Sequence, residues 1–266
     1  MKKRTKMILS VCVFLLIGGA YFIYQWQFKG DKKVTESSHL TLVSIGDSLT
    51  EGVGDGKKEG GYVGLLTEKL KAEYPKLDVS SHNYGISGER SDQILERIKE
   101  DEALREAIEE AQVISITVGG NDVMKTFKSK LLDITEEDFE EPGEEYQERI
   151  QEIFDEIRSL NSEAAIFILG IYNPFYVYFP EITELQSVID HWNEGTEKVV
   201  NKQKNAYFVP INDLLEKGDT EKKENYEKKK NKLLFEEDNY HPNEAGYEKM
   251  AERLFENIVA EEENWH

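Results

Sequence analysis

The chain has 266 residues, 53 Asp and Glu against 33 Lys and Arg, and a formal net charge of −20. That balance excludes a nucleic-acid binder, which needs a basic footprint. The single cysteine, Cys12, excludes a disulfide framework.

The first element is an apolar segment, Met7 to Tyr24, eighteen residues without a charge, preceded by Lys2, Lys3, Arg4 and Lys6. A helix of that length spans about 27 Å, close to the hydrocarbon thickness of a bilayer. A cleavable signal peptide is the competing reading, but its apolar core is shorter and ends in a small-x-small site. No such site is present, and Tyr21, Tyr24 and Trp26 suit a membrane interface. Cys12 follows too little apolar sequence for a lipoprotein signal. The expectation is therefore an N-terminal membrane anchor over residues 1–30, a polar linker over 31–39, and one exported domain over 40–266, with secretion after cleavage as the alternative.

Within that domain short apolar runs alternate with helical stripes. Leu40–Ile45, Val79–Asn83, Val113–Val118, Ala164–Leu169 and Ala206–Pro210 have strand length, and several are rich in Val and Ile. Tyr62, Val63, Leu66 and Leu70 make one helical stripe; Ile94, Leu95 and Ile98 begin another. Ile150, Ile153, Phe154 and Ile157 follow a helical period, as Ile182, Leu185, Ile189 and Trp192 nearly do. Tyr247, Met250, Ala251, Leu254, Phe255 and Ile258 form the cleanest stripe. This alternation predicts an α/β fold with a parallel sheet between helices, whose site lies at the carboxyl ends of the strands. Asp133–Glu148 holds nine acids and no base, and Lys217–Lys232 seven lysines and four acids. Both read as solvated helix faces or loops, with a lid or membrane-facing insertion as the sharper alternative.

Four segments carry chemistry. Ile45-Gly-Asp-Ser48-Leu-Thr follows the first strand, so Ser48 stands at a strand end, where a base can activate it. Asn83-Tyr-Gly-Ile-Ser-Gly88 follows the second, and the Gly88 N–H can approach a substrate. Val118-Gly-Gly-Asn121-Asp predicts a tight turn that projects the Asn121 amide as an oxyanion donor. In Asp238-Asn-Tyr-His241-Pro-Asn243 the carboxylate can hold one ring nitrogen and leave the other to take a proton from serine. Asn243 reads as the cap of the last helix. Taken singly, each segment is also an ordinary polar turn. His39, His82, His191 and His266 have no comparable setting. Glu51, Asp55 and Glu59 lie near Ser48 without metal-ligand spacing, and no motif for a nucleotide or other cofactor is present.

Together the four segments resemble the GDSL/SGNH hydrolases, whose blocks carry a serine, a glycine, an asparagine and an Asp-x-x-His pair in this order. The likeness runs from Leu40 to Ile258 and looks nearest to membrane-associated lipase or acylhydrolase members of Gram-positive bacteria. It implies a flavodoxin-like three-layer α/β/α fold with a five-stranded parallel sheet ordered 2-1-3-4-5. It also implies an oxyanion hole of Ser48 N–H, Gly88 N–H and Asn121 Nδ2. The activity that the likeness implies is ester hydrolysis by Ser48, His241 and Asp238 on a small ester or lipid, of lysophospholipase-like type, without a cofactor. O-acetyl sugars and thioesters are the alternative substrates, and a non-catalytic, membrane-tethered binding module is the rival from another class.

Overall fold

The computed structural model describes residues 39–130, 135–179, 182–217 and 230–266. The expected membrane segment and linker lie outside them, apart from His39, as does most of the lysine-rich stretch. Among the described residues no helix is long and apolar enough to cross a membrane.

Five parallel strands form one sheet in the order β2-β1-β3-β4-β5. They are β1 (His39–Gly46), β2 (Asp78–Gly85), β3 (Val113–Thr117), β4 (Ala165–Leu169) and β5 (Ala206–Val209). The interior strands are buried on both sides because helices cover both faces. Val43, Ile45, Ile114, Ile116, Ile166 and Ile168 pack with Ile94, Ile98, Ile150, Phe154 and Trp192 in one core. The alternate residues Leu40, Leu42, Val113, Phe167 and Leu169 pack with Tyr62, Leu66, Leu70, Met250 and Leu254 in the other. This two-residue alternation is the strand period, and it shares the sequence's helical stripes between two layers.

The register sets up the site. Gly46 lies opposite both Gly85 of β2 and Thr117 of β3, while Thr117 lies opposite Leu169 of β4. Four neighbouring strands therefore end in one row, and the segments bearing Ser48, Gly88 and Asn121 leave three of them side by side. Gly46 is needed because a methyl group there would come within 2.4 Å of the Thr117 hydroxyl oxygen.

Two local expectations are corrected. The expected tight turn is present at Gly119, with φ +110°, but it ends there, and Asn121 sits in the first turn of the helix Gly120–Lys130. Ile182 is 46% exposed and precedes the helix Thr183–Val200, so it does not share that helix's buried stripe with Ile189 and Trp192. The described part of the acidic stretch forms the 3-10 turn Glu136–Phe139 and the start of the helix Glu140–Leu160.

Candidate active site

Ser48 opens a one-turn helix, Ser48–Glu51, at the end of β1. The residue before it caps that helix: Asp47 Oδ1 accepts the Leu49 N–H at 3.0 Å and the Thr117 hydroxyl at 2.8 Å. From Thr117 a buried chain of hydroxyls continues beneath the nucleophile. Thr50 Oγ1 lies 2.8 Å from Thr117 Oγ1, Tyr62 OH 3.1 Å from Thr50, Ser115 Oγ 3.1 Å from Tyr62, and Ser44 Oγ 2.8 Å from Ser115. The chain locks β1 to β3 and satisfies polar groups taken out of water. Burial pushes the Asp47 carboxyl above its usual range, against its bonds from Thr117 and Leu49.

His241 reaches Ser48 from the last helix. Asn243 caps that helix, Glu244–Ala260, by accepting the Gly246 N–H at 3.1 Å. The preceding turn is held on both sides: Phe235 N–H donates to His241 O at 2.7 Å and Asn243 N–H to Leu233 O at 2.9 Å. Asp238 Oδ1 accepts the N–H groups of Tyr240 and His241 at 2.8 and 3.0 Å. Its Oδ2 meets His241 Nδ1 at 2.6 Å, and His241 Nε2 meets Ser48 Oγ at 2.9 Å. Burial acts to raise the Asp238 carboxyl, but the His241 bond and the two backbone bonds outweigh it and hold the carboxyl below its usual range. A carboxylate on Nδ1 selects the tautomer whose Nε2 can take the serine proton.

Donors stand on the other side of Ser48. Neither the Ser48 N–H nor the Gly88 N–H has an acceptor among the described residues. Gly88 adopts φ +86° and has open space around it. Asn121 Nδ2 gives one hydrogen to Glu89 O at 2.8 Å, which leaves the other for a ligand. The Gly88 segment is braced by two ion pairs, Glu89–Arg97 and Asp122–Arg149, the second at 3.6 Å. Glu89 binds Arg97 at 2.7 Å, and that arginine also donates to Gly46 O at 3.4 Å. Asp122 accepts Ser91 N–H at 3.0 Å and its hydroxyl at 2.6 Å, with Arg149 donating to Ser91 Oγ at 2.7 Å. Burial raises the Asp122 carboxyl; its bonds from Ser91 and the charge of Arg149 act against this.

All five residues expected from the sequence thus lie in the three strand-end segments and the turn before the last helix. Ser48 and Asn121 line one cavity together with Tyr172, Pro174 and Tyr240. Thr117, Glu89 and Tyr240 carry no mark in the sequence; Thr117 meets Asp47, 70 positions away, and Glu89 meets Asn121, 32 positions away. Glu51 and Asp55 have structural uses: Glu51 accepts Ser87 N–H at 2.5 Å, and Asp55 accepts the N–H groups of Lys57, Glu59 and Gly61 at 2.8–3.0 Å. Among the described residues no group of three or more His, Cys, Asp or Glu side chains could hold a metal ion.

A hydroxyl, imidazole and carboxylate in line at the carboxyl ends of a parallel sheet, with free N–H donors opposite, form the arrangement of a serine hydrolase. The chain belongs to the GDSL-like lipase/acylhydrolase family, which it matches over residues 44–249. It is 34% identical over 265 residues, 98% of each chain, to the uncharacterized protein YpmR of Bacillus subtilis strain 168. It is 27% identical over 219 residues to the spore germination lipase LipC of Bacillus licheniformis, covering 81% of this chain and 94% of LipC. The crystal structure of the lipase Lip_vut3 from a goat rumen metagenome superposes with a TM-score of 0.67 at 25% identity, covering 81% of this chain and 95% of that one. The protein is an ester-hydrolysing enzyme.

Proposed function

We propose that Ser48, His241 and Asp238 are the triad of a carboxylic-ester hydrolase that works through an acyl-enzyme on short acyl groups. The observation that carries this reading is the continuous relay from Asp238 through His241 to Ser48, with contacts of 2.6 and 2.9 Å. His241 Nε2 takes the proton as Ser48 Oγ attacks the ester carbonyl. The carbonyl oxygen becomes an oxyanion facing Ser48 N–H, Gly88 N–H and the free Asn121 N–H, which are already oriented and need no rearrangement as charge develops. His241 returns the proton to the departing alcohol oxygen. Water then repeats the sequence on the acyl-enzyme and frees the acid and Ser48.

Acyl length follows from space. The cavity at Ser48 measures about 30 Å³, a space that a short acyl group fills. This supports an acetyl-type ester over the lysophospholipid that the family also suggests. Hydrolysis of p-nitrophenyl acetate, a long-chain p-nitrophenyl ester and a lysophospholipid, compared side by side, tests it. Preference for acetate, lost by several orders of magnitude in Ser48→Ala, is expected; a preference for the lysophospholipid refutes the short-acyl assignment.

We also propose that Met7–Tyr24 tethers the catalytic domain to the outer face of a membrane, because the segment is long, uncharged and followed by aromatic anchors. Recovery of the uncleaved chain in the membrane fraction is expected; a mature N-terminus after Ala20 on protein free in the medium refutes the tether.

A further inference from the structure

Two small cavities adjoin at the site. The one at Ser48 is also lined by Val118 and Ile171. A second, about 20 Å³, lies beyond it against Val123, Met124, Phe175, Leu185 and Ile189. Both cavities share the same four wall residues, Gly120, Tyr172, Pro174 and Tyr240.

Three of those four are fixed. Gly120 has no side chain and begins a helix. The Pro174 ring is part of the backbone. Tyr172 is buried, and its hydroxyl donates to Tyr240 O at 2.5 Å. The Tyr240 side chain is held differently. Its ring stands edge-on to the His241 imidazole, 5.0 Å between centroids at 83°, and tilts against Phe175 at 6.3 Å. Its hydroxyl has no hydrogen bond among the described residues. It reaches across to the Gly119–Asn121 turn, where a methyl group on Gly120 would lie 3.8 Å from it. The ring therefore spans the site from the histidine turn to the asparagine turn, held by packing alone.

We propose that Tyr240 is the acyl-length selector of this enzyme, a partition that confines the acyl group to the space beside Ser48 and shuts off a small apolar chamber that, joined to the space the ring occupies, takes the next methylenes of a saturated chain. The proposal rests on the serine-esterase reading. The chamber's Val, Met, Phe, Leu and Ile side chains offer contacts to methylenes and little to a sugar or a charged group. Removing the ring joins the two spaces and keeps the hydrogen bonds of the Asp238–His241–Ser48 relay, to which Tyr240 contributes only its backbone N–H. It does remove the ring's edge contact with His241, so the ratio between substrates is read and not the absolute rate.

The test compares kcat/KM for p-nitrophenyl acetate, butyrate and octanoate in the wild type, Tyr240→Phe, Tyr240→Leu, Tyr240→Ala and the double variant Tyr240→Ala with Met124→Trp. Wild type and Tyr240→Phe should both fall steeply from acetate to octanoate. The octanoate-to-acetate ratio should rise at least tenfold in Tyr240→Ala, since each methylene newly buried is worth about fourfold. Tyr240→Leu, which keeps an apolar side chain in the core of the loop, should show a smaller rise. Filling the chamber with Trp should cancel the gain. An unchanged ratio in Leu and Ala variants that still hydrolyse acetate overturns the partition, as does a gain that survives Met124→Trp or one already present in Tyr240→Phe. A wild type inactive on every ester is a different failure: it removes the esterase reading, and the proposal with it.

Discussion

Replacing Asn121 by alanine separates binding from catalysis. Among the described residues the side chain makes one bond, Nδ2 to Glu89 O at 2.8 Å, and keeps one hydrogen for the substrate. Loss of the internal bond lowers stability by about 0.5–1.5 kcal/mol, the net worth of a neutral hydrogen bond. Loss of the second removes one of three oxyanion donors, a contact that strengthens as the carbonyl oxygen becomes charged, and lowers kcat by roughly 10²–10³. KM should move little, because the ground-state carbonyl is a weaker acceptor. The Ser48 and Gly88 N–H groups remain, so a residual rate should persist well above that of Ser48→Ala. The assay is steady-state hydrolysis of p-nitrophenyl acetate beside urea unfolding of the same preparations. A rise confined to KM, or a normal kcat in the folded variant, refutes the oxyanion role. A stability loss far above 1.5 kcal/mol would mean that the Glu89 tether matters more than the donor.

Asp238→Asn should lower kcat by roughly 10²–10⁴, since an amide cannot select the same imidazole tautomer as the carboxylate 2.6 Å from Nδ1; a normal kcat would make Asp238 a loop residue only. Gly46→Ala should cost about 3 kcal/mol in urea unfolding, the upper end for overpacking, because the new methyl meets Thr117 Oγ1 at 2.4 Å; an unchanged midpoint would show that β1 and β3 can separate there. For Asp47 the folded carboxyl titrates above the ordinary 3.8. Between that value and its raised one, the native state holds a proton that the unfolded chain has lost, so this group's contribution to stability falls as pH rises through the window. Asp47→Asn cannot titrate, so the wild-type-minus-variant unfolding free energy should decline as pH rises from 3.8. A difference that increases with pH contradicts the direction assigned to Asp47.

Strands and helical stripes were legible because their periods are local. Val113–Thr117 and Ala165–Leu169 are buried at every position and rich in Val, Ile and Leu, and Tyr247 to Ile258 repeats at helical spacing. The strand order came from resemblance, since nothing within a run tells it which neighbour it will pair with. The candidate site was legible for a related reason: Asp238 and His241 meet within one turn, and Ser48 and Asn121 follow apolar runs. What supports them was not legible. Thr117 meets Asp47 across 70 positions, and Ser91 meets Asp122 across 31. Such pairs exist only once β1, β2 and β3 end in one row. The extent of the turn before Asn121 was misjudged because two glycines usually mark a loop, whereas here Gly119 turns the chain and Gly120 starts a helix. Tyr240 looked like spacer within Asp-x-x-His; its role depends on Gly120, on the far side of the site.

The central claim is that Ser48 is a nucleophile activated by His241, and a fluorophosphonate probe with peptide mapping tests it most directly. The wild type should carry one phosphonyl group on Ser48, His241→Ala should label far more slowly, and Ser48→Ala should not label at all while unfolding at the wild-type urea concentration. Labelling at another residue, or wild-type ester hydrolysis by a folded Ser48→Ala protein, would contradict it.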